Sequence, residues 1–338
     1  MPSSKDVAKL AGVSQATVSR VLNTPELVRD ETRLRVQQAI ERLNYIPDAS
    51  ARQLVSGKTQ TITLLSGPLD NPFFVDSTAA IVRYANQSGY AVNVHFVTDN
   101  KITEVYQAAL ANKADGIIMS CVLWDDPIFA QLSRLKIPFV TYNRKHQNNR
   151  CFVEMDNVQA GRLVYEYLFG LGHRRMLWLG GSRNTSTFAN RLQGFQGAHQ
   201  AHVLNHVVET LPAPWVVNRD DLDQAGLRQL LWQSQQGENR PTAIVAATDA
   251  IAIEVLDALS ALGIDCPQAV SVTGIDNVGL SQHHAIGLTT VGVECGQNLG
   301  LVAIQALVAQ LQNPATEPVA QTLPVTVFAR KTTRDLSN

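Results

Sequence analysis

Residues 12–23 read GVSQATVSRVLN: a glycine and a serine lead into a run whose apolar members recur at helical spacing. Ser14 stands as an N-cap, its hydroxyl available to the orphan amides of the turn that follows. Val18, Val21 and Leu22 then face inward, which turns Gln15, Ala16, Ser19 and Arg20 outward. Upstream, Val7, Ala8 and Ala11 form an apolar stripe that stops at Gly12. Downstream, a third helix is predicted from about Asp30, with Leu34, Val36, Ile40 and Leu43 inward and Arg33, Arg35 and Arg42 outward. Two short helices joined through a glycine-containing turn and backed by a third predict a helix-turn-helix domain over residues 1–46.

The exposed edge of the second helix has the chemistry of a DNA reader. A major groove is about 12 Å wide, so side chains entering it must be short or flexible and able to donate or accept hydrogen bonds. Gln15 can pair with adenine, Arg20 with guanine O6 and N7, and Ala16 can meet a thymine methyl. Ser14, Thr17 and Asn23 suit phosphate contacts, which fix register, and Thr32 of the third helix joins this DNA-binding set. The stretch alone is also compatible with an ordinary capped surface helix. Charge adds a pointer: residues 1–60 hold nine Lys or Arg against six acids, while the whole chain of 338 residues carries a formal −1. A basic head on an acidic body points to a polyanion at the front.

With 45% hydrophobic and 17% charged residues, the composition is that of a globular chain with room for two or three cores, and it excludes disorder and collagen. No apolar run reaches the ~18 residues of a membrane span, and the start, MPSSKDVAKLAG, is charged where a secretory signal is apolar, so no membrane partner and a cytoplasmic location are expected. Cys121, Cys151, Cys266 and Cys295 have neither metal-ligand nor redox spacing. No metal and no cofactor are expected.

Past the head, NYIPDASARQLVSGKTQTITLL breaks at Pro47, caps a short helix with Asp48 and reaches Leu54 before a Ser-Gly linker. Together, DVAKLAGVSQATVSRVLN, VRDETRLRVQQAIERLNYIP and ARQL, in that order, resemble the lactose-repressor and galactose-repressor family of bacterial transcription regulators. The resemblance implies that Gln15, Ala16 and Arg20 read bases. It also implies that residues 47–60 form a hinge ordered on operator DNA, and that Leu54 from each of two subunits wedges into a minor-groove step. The partners it implies are near-palindromic operator DNA, a second copy of the chain and a small sugar-like effector. The C-terminal run ARKTTRDLSN has no heptads, which predicts a homodimer rather than a tetramer.

Beyond Lys58, short apolar runs alternate with amphipathic ones. Strands are predicted at TITLLS, AVNVHFV, GIIMSCV, PFVTY, MLWLGG, VVETL, AIVAAT and VSVTGI, and helices from near Phe74, Thr103, Pro127, Val158, Phe188, Asp221, Ala250 and Gln297. This is an α/β pattern of parallel sheets, too long for one sheet and read as two doubly wound lobes. The resemblance specifies a two-lobed body, residues 61–338, like the periplasmic sugar-binding proteins. It places chain crossings near Asp156, Gly287 and Pro318, so that 61–156 with 288–316 and 157–287 with 317–331 form the lobes.

Ligands in such sheets sit beyond the carboxyl ends of strands. Loops there offer Asp70, Phe73, Phe74 and Asn143 in the first lobe and Arg191, Thr248 and Asp276 in the second. A carboxylate with an arginine and flanking aromatics grips a polyol by bidentate bonds and stacking. Arg191 and Asp276 match the family's most characteristic effector positions. Thr248, Val293, Cys295 and Asp221 depart from residues common in sugar-binding relatives, so the pocket is expected to be less aromatic. A monosaccharide, a phosphosugar, a sugar acid or a nucleoside-type ligand all fit. Enzyme readings find little purchase. VSGKTQT lacks the glycine a phosphate loop needs where Arg52 stands, Ser182 in GGSRN lacks a nucleophile elbow, and His199, His202 and His206 lack zinc spacing. The alternatives are a carbohydrate kinase or other sugar enzyme fused to a DNA-binding head, and a plain sugar-binding protein.

Overall fold

The head begins with a reciprocal cap. The Ser3 amide donates to the Asp6 carboxylate at 2.8 Å while the Asp6 amide donates to Ser3 Oγ at 3.4 Å, starting α1 (Ser4–Ala11). Gly12, at φ 63°, adopts the left-handed conformation that ends the helix without a Cβ penalty. Ser14 Oγ accepts from Thr17 N at 3.1 Å to start α2 (Gln15–Asn23), and α3 (Asp30–Arg42) backs the pair. Val7, Ala8, Ala11, Val18, Val21, Val36 and Ala39 form the core. Leu34 corrects the predicted inward set: it is 59% exposed. Two residues from Val36, it falls on the opposite side of the helix, and Ala39 takes the inward place instead.

The structure, a computed structural model, describes residues 2–46, 58–97, 102–111, 113–205, 211–294 and 297–337. Pro47, Asp48, Leu54, Cys295 and His206 therefore lie outside the described residues. The chain divides into two units, Met1–Gln60 and Thr61–Asn338.

In the larger unit, β1 (Thr61–Ser66), β2 (Ala91–Phe96), β3 (Gly116–Met119), β4 (Phe139–Tyr142), β5 (Phe152–Met155) and β11 (Ala320–Leu323) form one six-stranded sheet, in the order β11-β5-β4-β3-β1-β2. The second sheet runs β12-β10-β9-β8-β6-β7, from β6 (Met176–Gly180), β7 (Trp215–Asn218), β8 (Ala243–Ala246), β9 (Ser271–Ile275), β10 (Thr289–Val293) and β12 (Val325–Phe328). All pairings are parallel except β10 with β12. Central strands such as GIIM, MLWLG, AIVA and SVTGI are buried throughout, as parallel strands covered on both faces must be. The helices are α4 (Pro72–Gln87), α5 (Ile102–Ala111), α6 (Ile128–Leu135), α7 (Asn157–Gly170), α8 (Ser186–Asn205), α9 (Gln224–Ser234), α10 (Asp249–Ala261) and α11 (Leu299–Gln312).

Pairing corrects two of the three expected crossings. The chain leaves the first lobe after β5, near Asp156, as expected. It returns only after Val293, because β10 pairs with β9 and β12. Gly287, at φ 54°, is the turn into β10 rather than a crossing. The last crossing falls at Pro324, since β11 pairs with β5 of the first sheet. Punctuating residues mark turns, whereas lobe membership follows strand partners. The strand expected at VVETL lies almost wholly outside the described residues, and β7 begins at Trp215.

Candidate functional site

Strand ends of both lobes build the cleft. A cavity of about 510 Å³ is lined by residues following β1 (Asp70, Asn71, Phe74), β4 (Arg144), β6 (Ser182, Asn184, Phe188), β7 (Arg219, Asp220) and β8 (Thr248). A second, of about 270 Å³, is lined by Phe73, Asp76, Met155, Asp276, Asn277, Val278, Gln282, Val293, Glu294, Gln297, Asn298 and Leu299. Hydrogen bonds cross between the lobes at several points. Trp124 N donates to Asn184 O at 3.1 Å, Lys145 N to Ser186 Oγ at 2.9 Å, Thr187 Oγ1 to Asn143 O at 2.7 Å, and Gly279 N to Asp76 Oδ2 at 2.8 Å.

Behind the cavities lies a buried charge network. Arg191 is 0% exposed, and all three guanidinium nitrogens are engaged. Nε donates to Asn157 Oδ1 at 2.9 Å, Nη1 to Ala247 O at 2.5 Å, and Nη2 to Asp276 Oδ1 at 2.7 Å, with Met155 Sδ at 3.4 Å. Two glycines permit this. A Cβ on Gly161 would lie 1.9 Å from Arg191 O, and one on Gly194 would lie 1.9 Å from Val158 O, so α7 and α8 meet backbone to backbone and seat Arg191 against Asn157. Asp276 itself sits at φ 138°, a conformation rare for a residue with a side chain.

Arg191 thus pairs with Asp276, whose charge in turn acts on a second buried carboxylate, Asp249. Asp249 accepts from Thr290 Oγ1 at 2.5 Å and from Val278 N at 3.0 Å. Burial, and then the Asp276 charge, push its pKa up to about 7 against the lowering pull of those donors. Burial likewise raises Asp276, with Arg191 pulling it back.

Of the seven expected effector residues, Asp70, Phe74 and Thr248 line the larger cavity and Phe73 and Asp276 the smaller. Arg191 and Asn143 line neither. Arg191 stands behind Asp276, and Asn143, 8% exposed, contributes its carbonyl to the interlobe bond. Sequence reasoning missed Asp76, Asn277, Gln282, Glu294 and Asn298, although the signal for Asn277 was adjacency to Asp276 at a strand end. Thr248 also caps α10, accepting from Ile251 N at 3.2 Å.

On the head, Ser14, Gln15, Ala16, Arg20 and Asn23 are exposed and Thr17 and Thr32 half-buried. Gln15 Nε2 donates to Ser4 Oγ at 2.8 Å and Asn23 Nδ2 to Ser19 Oγ at 3.2 Å, bonds between exposed groups that a nucleic acid could replace. Among the described residues, no helix is long and apolar enough to cross a membrane, and no group of three or more His, Cys, Asp or Glu could hold a metal ion.

Comparison with known proteins places both parts. Residues 4–48 match the bacterial regulatory proteins of the lacI family, and residues 165–333 match the periplasmic binding protein-like domain. The HTH-type transcriptional repressor PurR of Escherichia coli O1:K1 is 31% identical over 343 residues, covering 99% of this chain and 98% of its own. The lac repressor dimer bound to operator and the anti-inducer ONPF is 26% identical, with a TM-score of 0.80 over 98% of this chain and 99% of its own. The transcriptional regulator CelR–cellobiose complex is 25% identical, with a TM-score of 0.66 over 98% and 100%.

Proposed function

The chain belongs to the lacI family of bacterial regulatory proteins, and on that premise we propose a transcriptional repressor whose operator binding is set by a small molecule in the cleft between its lobes. One observation carries the reading: loops at the carboxyl ends of strands from both sheets line one cavity, while a separate unit exposes Gln15, Ala16 and Arg20 along a capped helix edge. The names of its relatives, a repressor, an operator-bound dimer and a cellobiose complex, support it.

Two copies of the chain bind a near-palindromic operator, each head reading a half-site about one helical turn from the other. Gln15, Ala16 and Arg20 read bases, Ser14, Thr17, Asn23 and Thr32 grip phosphates, and Leu54 supplies the wedge from a hinge over residues 47–60. An effector touching both lobes favours one lobe arrangement, and the hinge passes that preference to the paired heads. Coupling of about 1–3 kcal/mol suffices, and operator must then alter effector affinity by the same factor. Asp276 meets the effector, and Arg191 holds Asp276. The protein is a binding module rather than an enzyme and acts in the cytoplasm.

The test is selection of duplexes from a random pool, followed by titration at physiological ionic strength. The selected sequence should bind at least about a thousandfold more tightly than a scrambled one. Equal affinity for both would refute the reading.

A further inference from the structure

One cation of the cleft has no task inside the protein. Arg144 follows β4 and lines the larger cavity, of about 510 Å³, and its Nε is buried without a hydrogen-bond partner. Among the described residues it forms no ion pair, whereas Arg219 in the same lining is taken up by Glu254, at 2.6 Å from Nη2 and 2.9 Å from Nε. A buried charged donor without an acceptor is costly, and the cost is lifted when an acceptor arrives. The flat guanidinium fork matches a carboxylate or a phosphate through two parallel hydrogen bonds.

The surroundings favour that acceptor. Glu254 belongs to Arg219, and Asp220 Oδ2 accepts from Ser182 N at 2.8 Å. Buried Asp126 of the same lobe accepts from Tyr106 Oη at 2.8 Å and from Ile128 N at 3.1 Å. Asp70 and Asp220 are exposed, and water weakens their repulsion of an anion. Three helix starts add attraction: Asn71 before α4, Thr185 before α8 and Thr248 before α10 all line the cavity, and helices of 16, 20 and 13 residues turn their amide ends to it. Arg144 also stands where the lobes join. Its amide donates to Tyr142 O at 2.7 Å around Asn143, which sits at φ 65°. The residues on either side of it bond to the start of α8 in the second lobe, Asn143 O to Thr187 Oγ1 and Lys145 N to Ser186 Oγ. An anion held by Arg144 therefore bears on the segment that links the lobes.

We propose that Arg144 anchors an acidic group of the effector: the cleft takes a polyhydroxy compound bearing a carboxylate or a phosphate, whose hydroxyls donate to Asp70 and Asp220. The inference rests on reading the cleft as the effector site, and it narrows that reading, since the family resemblance alone left neutral sugars and nucleosides open.

The experiment is a thermal-shift titration of the full chain and of Arg144→Met, which keeps a long side chain and removes its charge. The small-molecule fraction of a bacterial lysate is split at pH 7 on an anion exchanger, and gluconate with glucose and ribose 5-phosphate with ribose serve as defined pairs that separate a carboxylate from a phosphate. The retained pool should raise the melting temperature and the unretained pool should not; in any pair that binds, the acid should bind the more tightly. Arg144→Met should raise the half-saturating dose of the retained pool at least about tenfold. Arg144→Lys, which keeps the charge without the fork, should fall between that variant and the wild type. An unretained pool that shifts the melt as far as the retained one, a neutral member that binds the more tightly, or a retained-pool response that Arg144→Met leaves intact overturns the proposal and leaves the effector reading standing. No shift from either pool refutes that reading, and the proposal with it. Without any ligand, Arg144→Met should melt no lower than the wild type, because the charge it removes has no partner in the protein; a clear fall assigns Arg144 to the fold and overturns the proposal.

Discussion

Replacing Asp249 by asparagine should remove a pH dependence that the buried charge network imposes on stability. Asp249 is fully buried, and its pKa rises to about 7, by burial first and by Asp276 second. In the unfolded chain it returns to the ordinary carboxylate value of about 3.9. Between these values the folded protein holds one more proton than the unfolded one, so stability falls as pH rises and levels off above pH 7. The slope is about 1.4 kcal/mol per pH unit for one proton. Asparagine reproduces the protonated acid: its NH2 can donate to Thr290 Oγ1 in place of the carboxyl hydroxyl, and its oxygen can still accept from Val278 N. Urea unfolding of both proteins at pH 5, 6, 7 and 8, followed by tryptophan fluorescence, measures the effect, since Trp178, Trp215 and Trp232 all report on the second lobe. The wild-type minus variant difference should fall by about 1.3 kcal/mol from pH 5 to 6, by about 1 from pH 6 to 7 and by only about 0.4 from pH 7 to 8. Histidines 146, 173 and 199, whose pKa values burial lowers, contribute with the opposite sign but equally in both proteins, and cancel. A difference that stays flat from pH 5 to 8 would falsify the placement of a proton on buried Asp249.

Three further substitutions probe the parts separately. Arg191→Ala leaves Asp249 and Asp276 buried with no cation and should cost about 3–5 kcal/mol in urea melts at pH 8; a loss under about 1 kcal/mol would mean that the network is not electrostatically closed by Arg191. Gly161→Ala drives a methyl into the Arg191 carbonyl, so α7 and α8 must part, and about 1–3 kcal/mol should be lost along with most of any ligand-induced thermal shift. An unchanged melt would show that the helix pair yields freely. Arg20→Ala should reduce discrimination at one operator base pair by about 1–3 kcal/mol while leaving the melting of the larger unit unaltered; uniform weakening across all sequences would reassign Arg20 to phosphate.

Much of the fold was legible because local signals and tertiary outcome agreed. Ser14 was readable as a cap because a serine before an apolar-periodic run has few better uses, and it caps α2. Buried parallel strands announce themselves as short apolar runs, and GIIM, MLWLG and SVTGI were found on that basis. The strands missed are those whose stability comes from partners. FVEM at β5, TTVGV at β10, AQTL at β11 and VTVF at β12 are four or five residues long and mix polar with apolar residues, and each is held by pairing with a neighbouring strand. The misplaced crossings share this origin: Gly287 and Pro318 looked like boundaries, but β10 joins the second sheet through backbone bonds to Thr273, Gly274 and Ile275 that leave no local trace.

The site was legible in composition and not in arrangement, and Arg191 shows why. Spacing could mark it as a cation near the mouth of a cleft, but its depth depends on Gly161 and Gly194, two residues that look unremarkable within helices. Their missing side chains let α8 press onto α7, and that approach puts the guanidinium within 2.9 Å of Asn157 and 2.7 Å of Asp276. Every Arg191 nitrogen is then committed within the protein, to Asn157, Ala247 and Asp276. The smaller cavity beyond the guanidinium is lined by the carboxylates of Asp76, Asp276 and Glu294. Helix packing fixed by two glycines therefore decides how deep the guanidinium sits, which makes Gly161→Ala a perturbation of the buried charge network as well as of helix packing.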